Sequence, residues 1–389
     1  MLKSSNPLIE RLIHFFYLPD CFIRLLKNDE YNKSNKKTRL KTACDLLTLF
    51  FSYKTFPNHY ELCRLWEVHK SQWKYYYGDG WLTYQNLKLR KSVEPREYAV
   101  LFDDKAVCDL LCKGIDIPNL PYIYGLIRPD QDYKERIRSW FQDSATSALF
   151  IKPVRGHAGR GIVVVKKING DIMIQSQSGR IPLEEFELSA PAIVQELIQQ
   201  DRRMAAFSSS SVNTIRVLTM YTKDDSVIIL AASMLCGVGD SIVSNWSRGG
   251  IGLGVDPETG RLMKYAYDKK AIRYSEHPTS KIRFEGYQVP QWDRIIELAI
   301  TIQKAFPCYR MLGTDFAVRE NGEPVVIEVN NDPDIFGQEQ SCGPLLQIEQ
   351  NIKAFGEYDL LINRHQKELY EKFTIPQDQD TTEIDMNDD

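Results

Sequence analysis

The sequence has no apolar run long enough to cross a bilayer, no Cys-x-x-Cys pair and no Gly-Lys-Ser/Thr loop. Each absence closes a route. A spanning helix needs about 20 consecutive apolar residues. The one candidate, LIHFFYLPDCFIRLL at 12–26, is broken by Pro19 and Asp20. It reads as a packed amphipathic helix, not as a signal or an anchor. The eight cysteines, without paired spacing, read as reduced thiols of a cytoplasmic protein, mostly packing residues. They do not read as zinc ligands. The missing Gly-Lys-Ser/Thr excludes a Walker A loop, and no internal repeat is present.

A chain of 389 residues suggests two or three domains and can bury a large core without staples. The net charge is −3 but uneven: residues 1–160 carry about +8 and the remainder about −11. A basic first half suits an anionic small molecule, although a solvated basic face is the simpler alternative. No nucleic-acid partner is expected. The cations of KSNKKTRLK (33–41) lie near the apolar N-terminal stretch and leave peripheral membrane contact open.

Residues 1–95 read as helical. LKTACDLLTLFFSY and NHYELCRLWEVHKSQWKYYY place apolar side chains three and four apart. The aromatic stripe Trp66, Trp73, Tyr75, Tyr76, Tyr77 reads as core or interface. From residue 96 strands and helices alternate. EYAVLF reads as a strand, and DDKAVCDLLCKGI as a helix capped by Asp103 or Asp104 and ended by Gly114. SALFIKPV, GIVVVKK, PAIVQELI, NTIRVLTMYT, SVIILAASMLCG, GIGLGVD and RLMKYAYD read as strands, WDRIIELAITIQKAF as a helix. The expected divisions are 1–95, 96–200, 201–373 and an acidic, disordered tail at 374–389.

GTDFAVRENGEPVVIEVNN (313–331) contains Asn321-Gly322, the signal for a two-residue hairpin turn. That turn sets Asp315 opposite Glu328. Phe316, Val318, Val325, Ile327 and Val329 then form one apolar face, and Asp315, Ala317, Glu328 and Asn330 the other. Opposed carboxylates repel. A Mg²⁺ ion between them resolves this, with Asn330 adding a third oxygen. So does splaying into water, or pairing with Arg319 and a lysine.

FIKPVRGHAGRGIVVVKK (150–167) sets Gly156, Gly159 and Gly161 between two strands, where backbone N–H groups can approach phosphate oxygens. Lys152, Arg155 and Arg160 supply charge, and His157 a further donor. A β-branched run follows the loop, which argues against a Rossmann turn. Lys105 and Lys152 each follow a strand-like run from which a cation can reach phosphates. The end of PAIVQELI can offer its backbone, with Gln195 or Glu196 beside it, to an adenine edge.

In this order the motifs resemble the ATP-grasp superfamily, most of all its sugar-transfer associated branch, over about residues 96–345. The resemblance implies an α+β fold, two subdomains clasping ATP behind a helical N-terminal region. It implies Lys105 and Lys152 near adenine and phosphates, the 156–161 loop as a lid, and Glu196 with the Leu197 backbone as the adenine hinge. It further implies Asp315, Glu328 and Asn330 as Mg²⁺ ligands, and Arg216, supported by Asn213, as a phosphate or substrate contact. Asp201 is the nearest candidate for the ribose hydroxyls. Many ATP-grasp ligases carry an arginine two residues before the first metal acid. Here that position is Gly313, so Arg216 or Arg248 must serve instead.

The expected activity is an ATP- and Mg²⁺-dependent carboxylate–amine ligase acting through an acylphosphate, with a small carboxylate and amine as substrates. Family context adds a carboxylated sugar or amino acid in surface polysaccharide synthesis. A kinase on the same scaffold and a non-catalytic nucleotide-binding module are the alternatives. His277, Arg248, Gly249 and Gly250 are acceptor-side candidates. Removing Asp315 or Glu328 is expected to abolish turnover and, by relieving repulsion, to spare the fold.

Overall fold

The computed structural model describes residues 7–56, 58–78, 88–89, 91–143, 146–156 and 159–374. The expected acidic tail lies outside them. Five helices open the chain: α1 (Pro7–Phe16), α2 (Leu18–Leu26), α3 (Asp29–Ser34), α4 (Arg39–Phe51) and α5 (Asn58–Leu62). Asn28 and Thr38 cap α3 and α4 by accepting from the Tyr31 and Lys41 N–H groups. Leu25, Tyr31, Leu46, Leu49, Tyr60, Trp66 and Trp73 form their core. Trp66 and Trp73 of the aromatic stripe are therefore packing residues. Tyr77 belongs to a different core, against Phe355.

EYAVLF is not a strand. Arg96–Tyr98 is a 3-10 turn, and Val100–Asp103 is helix α6. Six apolar-rich residues cannot distinguish the two by periodicity. The outcome is decided by Phe102, whose ring packs 5.1 Å from both Phe306 and Tyr309. Helix α7 (Lys105–Gly114) follows, with Asp104 accepting from the Ala106 and Val107 N–H groups. Its Cys108 and Cys112, one turn apart, join the core of the second sheet rather than the first.

The first sheet contains β1 (Ile123–Ile127), β2 (Ala148–Pro153), β3 (Val163–Ile168), β4 (Asp171–Ser176), β5 (Gly179–Pro182) and β6 (Ala192–Glu196), with α8 (Tyr133–Trp140) between β1 and β2. Its order is β1-β6-β2-β3-β4-β5, every pairing antiparallel. Strand alternation sorts its faces. Leu149, Ile151, Val163 and Val165 meet Ile137 of α8 in one core. Phe150, Val164, Lys166 and Gln195 face a cleft.

After the one-turn helix α9 (Arg202–Ala205) comes the second sheet: β7 (Thr214–Tyr221), β8 (Val227–Cys236), β9 (Ile251–Val255), β10 (Leu262–Tyr267), β11 (Arg273–Tyr274), β12 (Met311–Val318) and β13 (Pro324–Asn330). Its order is β11-β10-β9-β8-β7-β12-β13, again antiparallel. Helix α10 (Trp292–Ala305) buries Ile295, Leu298, Ala299 and Ile302 against one face. Helices α11 (Ile335–Cys342), α12 (Glu349–Glu357) and α13 (Arg364–Thr374) close the chain. Ile335, Ile352, Phe355 and Leu369 pack with Leu218, Met220, Leu230 and Met311 of the sheet.

The β12–β13 turn differs from the expected one. Arg319 N–H bonds Glu323 O at 2.8 Å, so three residues form the loop, with Gly322 at φ 87°. This is the longer hairpin turn that places a left-handed glycine last. Phe316 therefore faces Val326, not Ile327, and a bulge between 326 and 328 returns the ladder to Asp315↔Glu328. Val325 and Ile327 consequently cluster with Ala317, while Val326 takes the face of Phe316 and Val318.

Candidate functional site

Between the sheets lies a cavity of about 1360 Å³. Lys105, Gly156, Gly159, Arg160, Glu196, Leu197, Arg216, Asp315, Glu328 and Asn330 line it. Lys152 lines a small adjoining recess shared with Lys105 and Glu328.

The opposed acids each hold a cation. Asp315 stands opposite Arg216 across β7–β12 and accepts two bonds of 2.7 Å from its guanidinium. Burial opposes the charge on Arg216, but Asp315 outweighs it and raises the Arg216 pKa. Glu328 pairs with Lys105 at 3.0 Å. Burial pushes the Glu328 carboxyl up; Lys105 and Lys152 together hold it below its ordinary value. Lys152 donates to Ile327 O at 3.2 Å, and burial lowers its pKa. Asn330 donates Nδ2 to Asp315 at 3.3 Å, which leaves its oxygen available. Gly313 runs beside Arg216: a Cβ there would lie 3.9 Å from Arg216 Cδ and 3.0 Å from Pro333. The neighbouring strand thus delivers a guanidinium next to the position where Gly313 lacks one.

Among the described residues no group of three or more His, Cys, Asp or Glu gathers as a metal site. The set Asp315, Glu328, Asn330 has two carboxylates and an amide. All its free acceptors are oxygens: Asp315 Oδ1 keeps a second lone pair beyond its bond to Arg216, whereas Oδ2 accepts from both Arg216 and Asn330. That chemistry fits Mg²⁺.

The glycine loop joins β2 to β3. Gly159 and Gly161 hold φ 67° and 72°, left-handed values that favour glycine. A Cβ on Gly161 would come within 2.8 Å of Pro153 Cγ. Lys105 Nζ donates to Gly156 O at 2.8 Å, tying α7 to the loop. Arg155 is exposed and turns away from the cavity to Asp104, at 3.3 Å. His157 lies outside the described residues.

The segment after β6 carries the chain from one sheet to the other along the hairpin tip. Glu196 accepts from Arg319 Nη2 at 2.6 Å and Nη1 at 2.9 Å, and from Tyr122 N–H at 2.7 Å. Burial raises its pKa, and Arg319 with the Tyr122 N–H overrides this, leaving it lowered. The Glu196 carboxylate is therefore a clasp between the end of β6 and the tip of the β12–β13 hairpin, not a free partner for adenine. Gln199 O accepts from Glu320 N–H at 2.8 Å in the same segment.

Four expected site residues fall elsewhere. Asp201 caps α9 and is held by Arg203 at 2.8 to 3.0 Å, off the cavity wall. Asn213 is fully buried and stitches a loop, donating to Met204 O and Ser208 O. Arg248 is exposed, off the cavity wall, and donates to Gln177 at 3.0 Å. His277 is fully buried: Nδ1 accepts from the Thr279 and Ser280 N–H groups and Nε2 donates to Gly237 O.

Sequence reasoning missed one wall. Asp334 caps α11 through the Gly337 N–H at 2.9 Å. Gly337, Gln338 and Ser341 then face the cavity. The other face of α11 meets the N-terminal helices. Glu339 accepts from the N–H groups of Tyr77, Gly78 and Leu345 at 2.6, 3.0 and 3.2 Å. His59 Nε2 stands 3.3 Å away without hydrogen-bond alignment. Burial drives His59 down to about 3 and Glu339 up to about 8, the latter against its three N–H donors. The signal available was the acid cap immediately after the hairpin, Asp334 with a glycine three residues on.

Two antiparallel sheets joined by a clasped hinge, with glycine loop and acid pair facing across a cleft, define the class. The chain belongs to the sugar-transfer associated ATP-grasp family, whose model matches residues 84–353. Among solved structures it is similar to the VanG D-Ala:D-Ser ligase from Enterococcus faecalis, at 18% identity over 66% of this chain and 61% of that one, TM-score 0.39. It is also similar to D-alanyl-alanine synthetase A from Vibrio cholerae, at 14% identity over 72% and 68%, TM-score 0.40. The ATP-grasp ligase PsnB is matched at 16% identity over 66% and 62%, TM-score 0.35. No curated protein matches the sequence. Among the described residues no helix is long and apolar enough to cross a membrane.

Proposed function

We propose that the protein is an ATP- and Mg²⁺-dependent carboxylate–amine ligase. The observation that carries this reading is the meeting in one cavity of Lys105, the glycine loop, Arg216 and the Asp315–Glu328–Asn330 set. ATP lies between the sheets, its adenine against the backbone near Leu197. Its phosphates lie under the loop from Gly156 to Gly161. Lys105 and Lys152 offset phosphate charge. Asp315, Glu328 and Asn330 would hold Mg²⁺, which would supply neutralisation of phosphate charge during transfer.

A substrate carboxylate attacks the γ-phosphorus, the bond to ADP breaks, and an acylphosphate results. An amine then displaces phosphate and forms the amide, losing a proton. The protein's part is positioning and charge neutralisation. Arg216 stands where the transferred group passes between nucleotide and acceptor, and the loop excludes water. The acceptor end is the wall formed by Gln338, Ser341 and Ser244. A carboxylated sugar or amino acid of surface polysaccharide synthesis is the substrate class that the family context favours.

Incubation with ATP, Mg²⁺ and panels of amino acids and uronic acids tests the proposal. Amine-dependent phosphate release with an amide product is expected. A stable phosphorylated acceptor formed without amine assigns a kinase, and no turnover with any acceptor removes the ligase reading.

A further inference from the structure

The first helices carry apolar residues where a packed amphipathic helix would not. On α1, Leu8, Leu12 and Phe16 are 81%, 58% and 72% exposed, at helical spacing on one face. On α4, Leu40, Leu47 and Phe51 are 76%, 44% and 60% exposed and form a second row. The opposite face of α4 is buried through Leu46, Leu49 and Phe50, so the exposed row is an additional apolar face, not a misplaced core. Phe15 joins the rows: its ring lies 5.9 Å from both Phe16 and Phe51. Single exposed apolar side chains are ordinary, but a continuous patch marks an interaction surface.

Charge identifies the occupant. Residues 1–54 hold ten Lys/Arg against five Asp/Glu. Lys36, Arg39 and Lys41 flank the start of the α4 row and Lys54 follows its end. All four are exposed, and none pairs with a carboxylate among the described residues. A second copy of the chain meeting this face about a two-fold axis would set these cations against themselves. An anionic bilayer takes apolar side chains at its acyl boundary and cations at its headgroups.

We infer that α1 and α4 form an interfacial docking surface for an anionic lipid bilayer. Leu12, Phe16, Leu47 and Phe51 enter the acyl boundary, and Lys36, Arg39, Lys41 and Lys54 lie at headgroup level. This surface is separate from the cavity and does not depend on the reaction proposed above.

The test is co-sedimentation of the full chain with vesicles of phosphatidylcholine alone and of phosphatidylcholine with phosphatidylglycerol, at low and moderate salt. Binding is expected only to the anionic vesicles, weakening as salt rises. The variant K36Q/R39Q/K41Q should lower partitioning about a hundredfold, roughly fivefold per cation. F16E/F51E should abolish binding while the thermal midpoint stays unchanged, since both side chains are exposed. Light scattering at several concentrations accompanies the assay. Absence of sedimentation at every composition overturns the inference. So does equal binding to phosphatidylcholine alone, and so does a concentration-dependent dimer that F16E/F51E returns to monomer.

Discussion

Arg216 and Asp315 face each other across neighbouring strands and share two hydrogen bonds of 2.7 Å in a largely buried setting. The acid is thus a structural partner as well as a proposed metal ligand. This reverses the sequence-based expectation that its removal merely relieves repulsion. Asp315→Ala leaves a buried guanidinium unpaired and should cost about 3 kcal/mol, read from denaturant unfolding. The double variant R216M/D315L should recover most of that loss yet remain inactive. Full turnover in Asp315→Ala would refute the metal assignment.

Arg216→Met alone should lower kcat by about a thousandfold if the guanidinium stabilises the transferred group. Steady-state kinetics with a saturating acceptor checks this. An unchanged kcat with a raised acceptor KM would place Arg216 in ground-state binding instead.

The Glu196–Arg319 clasp is about a quarter exposed and reached by solvent, so breaking it should cost only about 1 kcal/mol. Its larger effect should be on the hinge. Arg319→Met is expected to raise the KM for ATP several-fold and leave the thermal midpoint within a few degrees. Isothermal titration with a non-hydrolysable ATP analogue separates binding from turnover.

The buried Glu339 makes stability depend on pH. Its carboxyl titrates near 8 in the folded chain against 4.5 as an ordinary value. The folded state keeps a proton that the unfolded chain releases, so stability falls as pH rises through that window. His59 acts in the opposite sense below 6.5, since its folded value is about 3. Between about 6.5 and 8 Glu339 acts without that offset. Urea midpoints of the wild type should fall across this interval, and those of Glu339→Gln should fall less.

Gly161→Ala places a Cβ within 2.8 Å of Pro153 Cγ at φ 72°. Gly170→Ala adds the same methyl at φ 96° with open space around it. Both should lose about 1 kcal/mol to backbone strain. Only Gly161→Ala should also raise the KM for ATP, because only it displaces the loop over the cavity.

Much of the scaffold was legible because local chemistry agreed with the fold. Asp104 as a cap, the amphipathic Trp292–Ala305 helix and the β2–β3 hairpin follow from short-range rules. The Asp315–Glu328 pairing was reached through a turn one residue too short, which the bulge near Ile327 compensates. What stayed illegible depends on which strands become neighbours. The cation on Asp315 comes from β7, and no local pattern places β7 beside β12. Asp201 and Asn213 resemble ligands in a one-dimensional reading because capping and loop stitching use the same polar side chains as ligand binding. EYAVLF was decided by rings two hundred residues away, and the outward rows of α1 and α4 by what the chain leaves uncovered.

Helix α11 is only eight residues long, little more than two turns. Gln338 and Ser341 look into the cleft, while Phe336 and Glu339, on the reverse side, are gripped by Leu62, Tyr77 and His59. So short a rod has no slack between its two sides. A shift of the leading bundle is therefore expected to tilt the Gln338–Ser341 wall of the cleft with it, which would make the least enzyme-like part of the chain a mechanical input to the proposed acceptor site.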